Sequence, residues 1–201
     1  MSRPPWPSSN APARQPSFQI SSRRLGLYVL FGSLGVLFVA SLVGYLVTRN
    51  DSARWVTPGT PPPPAGLWLS TGLVLAISAA LEGARRAARK NQLAVLPRRL
   101  MLGLALAVAF LCAQAFNWYT LSRVALAQEE PALIVFGFYL LTGLHAAHVI
   151  GGLIPLSLVL SHALDREYSS SRYEGLGLCT DYWHFLSVVW LVLFFVLENF
   201  R

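Results

Sequence analysis

His145 and His148 stand three residues apart and so share a helix face, with Thr142 inside the same two turns. A second group gathers at Asp181, Tyr182, Trp183, His184, Ser187 and Trp190, and a third at Gln114, Asn117, Trp118 and Tyr119. Imidazole ligates metals and haem iron and relays protons. A haem held by two histidines needs them on facing helices, and only His184 could face the His145–His148 pair. His145 lies toward the beginning of its apolar stretch and His184 toward the beginning of the next, so antiparallel neighbours hold them at different depths. Histidines hydrogen-bonded between helices, or to lipid headgroups, are the favoured reading over a metal or haem site. A proton path would want carboxylates well inside the apolar stretches. The only ones nearby, Glu82, Asp181 and Glu198, stand near stretch ends, and Glu82 precedes Arg85 and Arg86 by three and four residues, the spacing of a surface ion pair. Cys112 is expected to be buried in mid-helix and Cys179 near a helix start; neither has CxxC spacing, and a thiol on the cytoplasmic side stays reduced. With no phosphate loop, nucleophile elbow or triad, the chain does not read as catalytic by itself.

The elements that must position these groups are apolar to an unusual degree. Of 201 residues 54% are hydrophobic and 12% charged, with a mean hydropathy of +0.50, whereas soluble domains carry about 25% charge. A soluble enzyme, a disordered chain, a coiled coil and a disulfide scaffold are excluded by that composition and by the two cysteines. Five stretches, 25–48, 67–84, 100–122, 132–163 and 176–200, lack charge or carry it only near an end. A membrane-crossing helix needs about 20 apolar residues, and the second stretch reaches that length by running into Arg85–Lys90, whose side chains snorkel. The prediction is an all-α integral membrane protein with five transmembrane helices at about 25–48, 66–89, 98–121, 132–161 and 175–199. Continuous apolar runs, with no alternation, exclude a β-barrel. Residues 1–24, rich in Pro and Ser, read as a disordered cytoplasmic tail ahead of a 25–201 membrane domain, and the 61–65 run PPPPA as a stiff spacer.

Basic residues set the orientation. Twelve fall on one side (Arg3, Arg14, Arg23 and Arg24; Arg85, Arg86, Arg89, Lys90, Arg98 and Arg99; Arg166 and Arg172) and four on the other (Arg49, Arg54, Arg123 and Arg201). That places the N-terminus in the cytoplasm and the C-terminus outside. The net charge of +7 is then a topology signal, and nucleic-acid binding is not needed to explain it. Small residues recur at spacings of four: Gly72, Ala76, Ala80, Ala84 and Ala88; Gly143, Ala147 and Gly151; and, in the first helix, Gly32, Ala40 and Gly44. Such stripes let helix backbones approach in lipid, and the bundle's own interior is the favoured use of them over a homodimer face. The fourth helix is long enough to tilt or emerge into water, and Pro155 can kink it.

The segments 137-GFYLLTGLHAAHVIGG-152 and 182-YWHFLSVVWLVLFF-195 closely resemble subunit III of the haem–copper oxidases. That family carries T-G-x-H-x-x-H-V-x-x-G on its penultimate helix and Y-W-H-F-x-D-x-x-W on its last. The matching positions are Thr142, Gly143, His145, His148, Val149 and Gly152, then Tyr182, Trp183, His184, Phe185 and Trp190; 114-QAFNWYTL-121, with Gln114 and Trp118, is similar to a third family run. The resemblance spans roughly 25–198 and is loose over 67–78. It implies the short five-helix bacterial form of the family, a multi-pass protein of the bacterial inner membrane. It also implies a non-catalytic subunit that holds no haem or copper, these being in partner subunits. Such a subunit packs on subunit I, with subunits II and IV as possible further partners, binds phospholipid in a cleft, and supports proton uptake and stability. The named residues are then structural or lipid- and partner-facing. Three positions depart from the family. A glutamate of its first shared helix is absent around Leu34 and Gly35, Asn117 replaces a glutamate, and Ser187 replaces an aspartate. All three changes favour a scaffold over a proton carrier. Quinol oxidases and nitric oxide reductase accessory subunits share these motifs, and a haem- or quinone-binding anchor that carries electrons itself is the alternative from another class.

Overall fold

The computed structural model describes residues 22–58, 60–125, 132–165 and 174–199, and all regular structure among them is helical. The helices are α1 (Ser22–Asp51), α2 (Gly66–Arg89), α3 (Leu96–Ala125), α4 (Leu133–Leu164) and α5 (Glu174–Asn199). The shortest has 24 residues, about 36 Å at 1.5 Å per residue, against a hydrocarbon core of about 30 Å. All five are long and apolar enough to cross a membrane, and the chain is a multi-pass membrane protein. Nearly all of the expected N-terminal tail, and the segment holding Arg166 and Arg172, lie outside the described residues.

Helices α2, α3, α4 and α5 close a ring in which each packs on two neighbours, and α1 leans on the outside of α4 and α5. The ring interior holds Phe110, Leu141, Leu186 and Trp190, all essentially inaccessible. The contribution of α1 is a single stripe, Leu34, Phe38 and Tyr45, so 11% of its apolar window is buried against 44% for α2, α4 and α5. Local chemistry sets the helix ends. Asn91 takes a left-handed conformation (φ 55°), and the Gln92 and Asn91 amides close back on the Ala87 and Ala88 carbonyls at 2.9 and 3.0 Å. That paired closure stops α2 and turns the chain into α3. Among the described residues no side chain caps the start of α4. Its first amides, of Leu133 and Ile134, donate instead to the Arg54 and Trp55 carbonyls of the α1–α2 connection, satisfying donors every helix start leaves open. The helix runs on through Pro155, which has no N–H to offer the preceding turn.

The small-residue stripes divide differently from expectation. In α2, Ala80, Ala84 and Ala88 are buried, whereas Gly72 is exposed. In α4, Ala147 and Gly151 are exposed and Gly143 is partly so. A Cβ built on Gly143 or Gly151 would meet nothing within 4 Å. Gly32, Ala40 and Gly44 of α1 also face outward. Those two stripes are therefore not seams of this bundle. The helix–helix contact in α4 is made by the next residue, Gly152, where an added Cβ would stand 2.7 Å from Tyr182 Cε1 and 3.3 Å from Trp183 Cζ2. Cys112, expected to be buried, is exposed on the outside of α3, because a residue in mid-membrane can face lipid as readily as protein.

Candidate functional site

The polar side chains at membrane depth sort into a ladder and a cage. The ladder joins α2 to α5. Thr71 and Ser78 are seven residues apart, 20° short of two full turns at 100° per residue, and so face the same neighbour. The Trp190 indole N–H donates to Thr71 Oγ1 at 3.0 Å, and Ser78 Oγ is hydrogen-bonded to His184 Nδ1. Two turns further, Arg85 bridges Glu82 at 2.7 Å and Asp181 at 3.0 Å, while Arg86 Nε reaches Glu82 at 3.1 Å and His184 Nε2 lies 3.7 Å from the same carboxylate. The expected Glu82 ion pair is present, and it extends across to α5 through Arg85.

The cage centres on α3, α4 and α5, with Phe38 of α1 against it and Ser70 of α2 at one end. His145 is fully buried, with Phe110, Trp190 and Phe38 rings at 5.6, 5.0 and 6.4 Å. Its Nε2 donates to the Leu186 carbonyl at 3.1 Å; a carbonyl only accepts, so Nε2 carries the proton. His148 Nδ1 donates to Leu144 O at 2.7 Å, and the Tyr182 hydroxyl donates to the His148 carbonyl at 2.9 Å. Toward the other end, Trp118 Nε1 donates to Thr142 Oγ1 at 3.0 Å and Thr142 Oγ1 to Phe138 O at 2.6 Å. Asn117 Nδ2 donates to Ser70 Oγ at 3.3 Å, and Ser70 Oγ lies 3.5 Å from Gln114 Oε1. Trp183 is buried beside Gly152. The Ser187 hydroxyl is taken up by its own helix, at Trp183 O.

The structure thus gathers Gln114, Trp118, Thr142, His145, Gly152, Tyr182, Trp183, His184 and Trp190 at helix contacts, and leaves Gly143 facing outward. The histidines take three different partners. Among the described residues no three His, Cys, Asp or Glu side chains are grouped to hold a metal ion. Sequence reasoning missed Ser70, Thr71 and Ser78, the α2 side of the hydrogen bonds with Asn117, Trp190 and His184. Their signal is the seven-residue spacing of two hydroxyls inside an apolar stretch. Thr71→Val, which removes the acceptor for the Trp190 N–H, is expected to destabilise the bundle by about 1 kcal/mol. Melting of the detergent-solubilised protein reads this, and an unchanged midpoint would show that the bond carries no net stability.

A family model described as cytochrome c oxidase subunit III matches residues 54–200. The chain belongs to the cytochrome c oxidase subunit III family. Cytochrome c oxidase subunit 3 of Synechocystis sp. (strain ATCC 27184 / PCC 6803 / Kazusa) is 28% identical over 174 residues, 86% of this chain and 73% of that protein. The protein of the same name from Thermostichus vulcanus is 26% identical over 176 residues, 87% of this chain and 86% of the relative. A probable cytochrome c oxidase subunit 3 of Nocardia farcinica (strain IFM 10152) is 28% identical, covering 83% of this chain and 82% of that protein. Subunit III of a terminal oxidase is therefore the assignment, associating with other oxidase subunits. The matched range holds the whole ring α2–α5 and excludes α1, the helix that leans on the outside of that ring.

Proposed function

We propose that this subunit III is a non-catalytic scaffold of a proton-pumping cytochrome c oxidase. It packs on subunit I, the bearer of haem and copper, binds phospholipid, and supports proton uptake and the lifetime of the active complex. Its place is the bacterial inner membrane, with the N-terminus in the cytoplasm. The observation that carries this reading is where the polar groups go. Thr71, Ser78, Trp118, Thr142, His145, Tyr182, His184 and Trp190 are all hydrogen-bonded within the bundle, which makes them braces between helices. The absence of Asp and Glu at Asn117 and Ser187, where hydroxyl and amide contacts stand instead, supports a scaffold over a proton carrier. Arg24, Arg85, Arg86, Arg89, Lys90, Arg98 and Arg99 all crowd one end of the bundle, which supports the orientation.

Affinity purification of the tagged chain from native membranes tests the reading. Haem-bearing partner subunits and oxidase activity are expected to come with it, whereas the chain expressed alone shows no Soret absorption. A Soret band in the isolated chain would assign electron transfer to the chain itself.

A further inference from the structure

Two polar hollows open at the basic end, and their electrostatics differ. One, of about 240 Å³, lies among Arg24, Tyr28, Arg85, Arg89, Glu174 and Asp181. Its cations are largely answered: Arg85 by Glu82 and Asp181, and Arg24 by Glu174 at 3.7 Å. The other, of about 390 Å³, lies between the end of α2 and the start of α3, among Arg86, Lys90 and Arg99 over Ala79, Gly83 and Ala87. Among the described residues no carboxylate lines it. Among the described residues neither Lys90 nor Arg99 has an acidic partner, and Arg86 engages Glu82 through Nε alone.

The geometry of this second hollow is specific. Gly83 lets the Arg99 side chain lie across α2: a Cβ there would stand 3.3 Å from Arg99 Nη1 and 3.6 Å from Cδ and Cζ. The floor residues Ala79, Gly83 and Ala87 are spaced by four, so a shallow apolar track leads from the cationic mouth toward the membrane interior. The Asn91 turn that ends α2 brings Lys90 to the same hollow as Arg99. Three cations lining one hollow at the basic end of the bundle, with small apolar residues beneath them, match one kind of ligand, an amphiphile with an anionic head and a hydrocarbon tail.

We infer that the α2–α3 groove is a binding site for an anionic phospholipid, its phosphate held by Lys90, Arg99 and Arg86 and one acyl chain lying over Ala79, beyond the Arg99 side chain. This deepens the lipid-binding part of the proposed function by naming the site and the charge of the headgroup. It does not depend on the oxidase partnership, so the two can fail separately. Each Lys or Arg near the surface strengthens attraction to anionic lipid by about fivefold, so losing two weakens it by about thirtyfold.

The test is native mass spectrometry of the full-length chain titrated with phosphatidylglycerol or phosphatidylcholine. The unmodified chain is expected to prefer phosphatidylglycerol. The double variant Lys90→Gln/Arg99→Gln is expected to lose that preference by about thirtyfold, with phosphatidylcholine binding unchanged. Lys90→Arg/Arg99→Lys, which keeps the charge, and Arg24→Gln, in the paired hollow, are expected to retain it. Equal phosphatidylglycerol binding by the chain and the double Gln variant overturns the inference. Displacement of the lipid by millimolar inorganic phosphate overturns it in favour of a free-anion site. A carbodiimide cross-link from Lys90 to a carboxylate of a co-purifying subunit, formed in the native complex, overturns it in favour of an acidic protein segment.

Discussion

Gly152→Val is expected to loosen the α4–α5 contact and detach the chain from the oxidase, while Gly151→Val, one residue away, leaves the bundle intact. The two glycines have the same composition and helical context and opposite surroundings. At Gly152 the added Cβ alone would stand 2.7 Å from Tyr182 Cε1 and 3.3 Å from Trp183 Cζ2, and two further methyls have nowhere to go. Neither ring can swing away freely. Tyr182 is tied through its hydroxyl to His148 O at 2.9 Å, and Trp183 is 2% exposed within the core. Overpacking of this kind costs about 1–3 kcal/mol, and in lipid no hydrophobic force drives the separated helices back together. At Gly151 a Cβ meets nothing within 4 Å, so Val there costs the bundle nothing sterically. The measurement is the melting midpoint of the purified chain for each variant, together with the amount of chain recovered on the complex. Equal midpoints for the two variants would show that the Gly152 contact does not hold α4 to α5.

The contrast also shows what was legible in the sequence. Periodicity and charge gaps reveal five membrane helices because lipid demands about 20 apolar residues and tolerates charge only at the ends. The chemistry-bearing residues of α4 and α5 stood out for the same reason: Thr142, His145, Tyr182 and His184 are costly at that depth unless partnered. Rotation about a helix axis is less legible. In a soluble helix an apolar face points inward, but in lipid both faces are apolar. Gly143-x-x-x-Ala147-x-x-x-Gly151 therefore looked like an internal seam although it faces outward, and Cys112 looked buried although it is exposed on the outside of α3. The partners on α2 were hidden for a further reason. Ser70, Thr71 and Ser78 are residues that often bond back to their own helix, as Thr71 does to Leu67 O at 2.9 Å. Only the facing Trp190 and His184 of α5, and Asn117 of α3 for Ser70, give them a role.

His145→Ala is expected to destabilise the chain by about 2–4 kcal/mol and to shorten the working life of the oxidase without changing its initial rate. The ring sits at 0% exposure between Phe38 of α1, Phe110 of α3 and Trp190 of α5, so truncation opens a cavity where four helices meet. The lost bond to Leu186 O, 3.1 Å long, is the smaller part: that carbonyl lies in mid-helix and keeps its backbone partner, so no buried group is stranded. His145→Met, which refills the space without an imidazole, is accordingly expected to recover much of the stability. A redox or proton-transfer ligand behaves in the opposite way. Met would fail as completely as Ala, and the initial rate would fall while the complex stayed assembled. Melting midpoints, initial rates and the decay of activity during sustained turnover separate the two for both variants. An oxidase that assembles normally around His145→Met yet shows no initial activity would make this imidazole a participant in the chemistry instead of a brace.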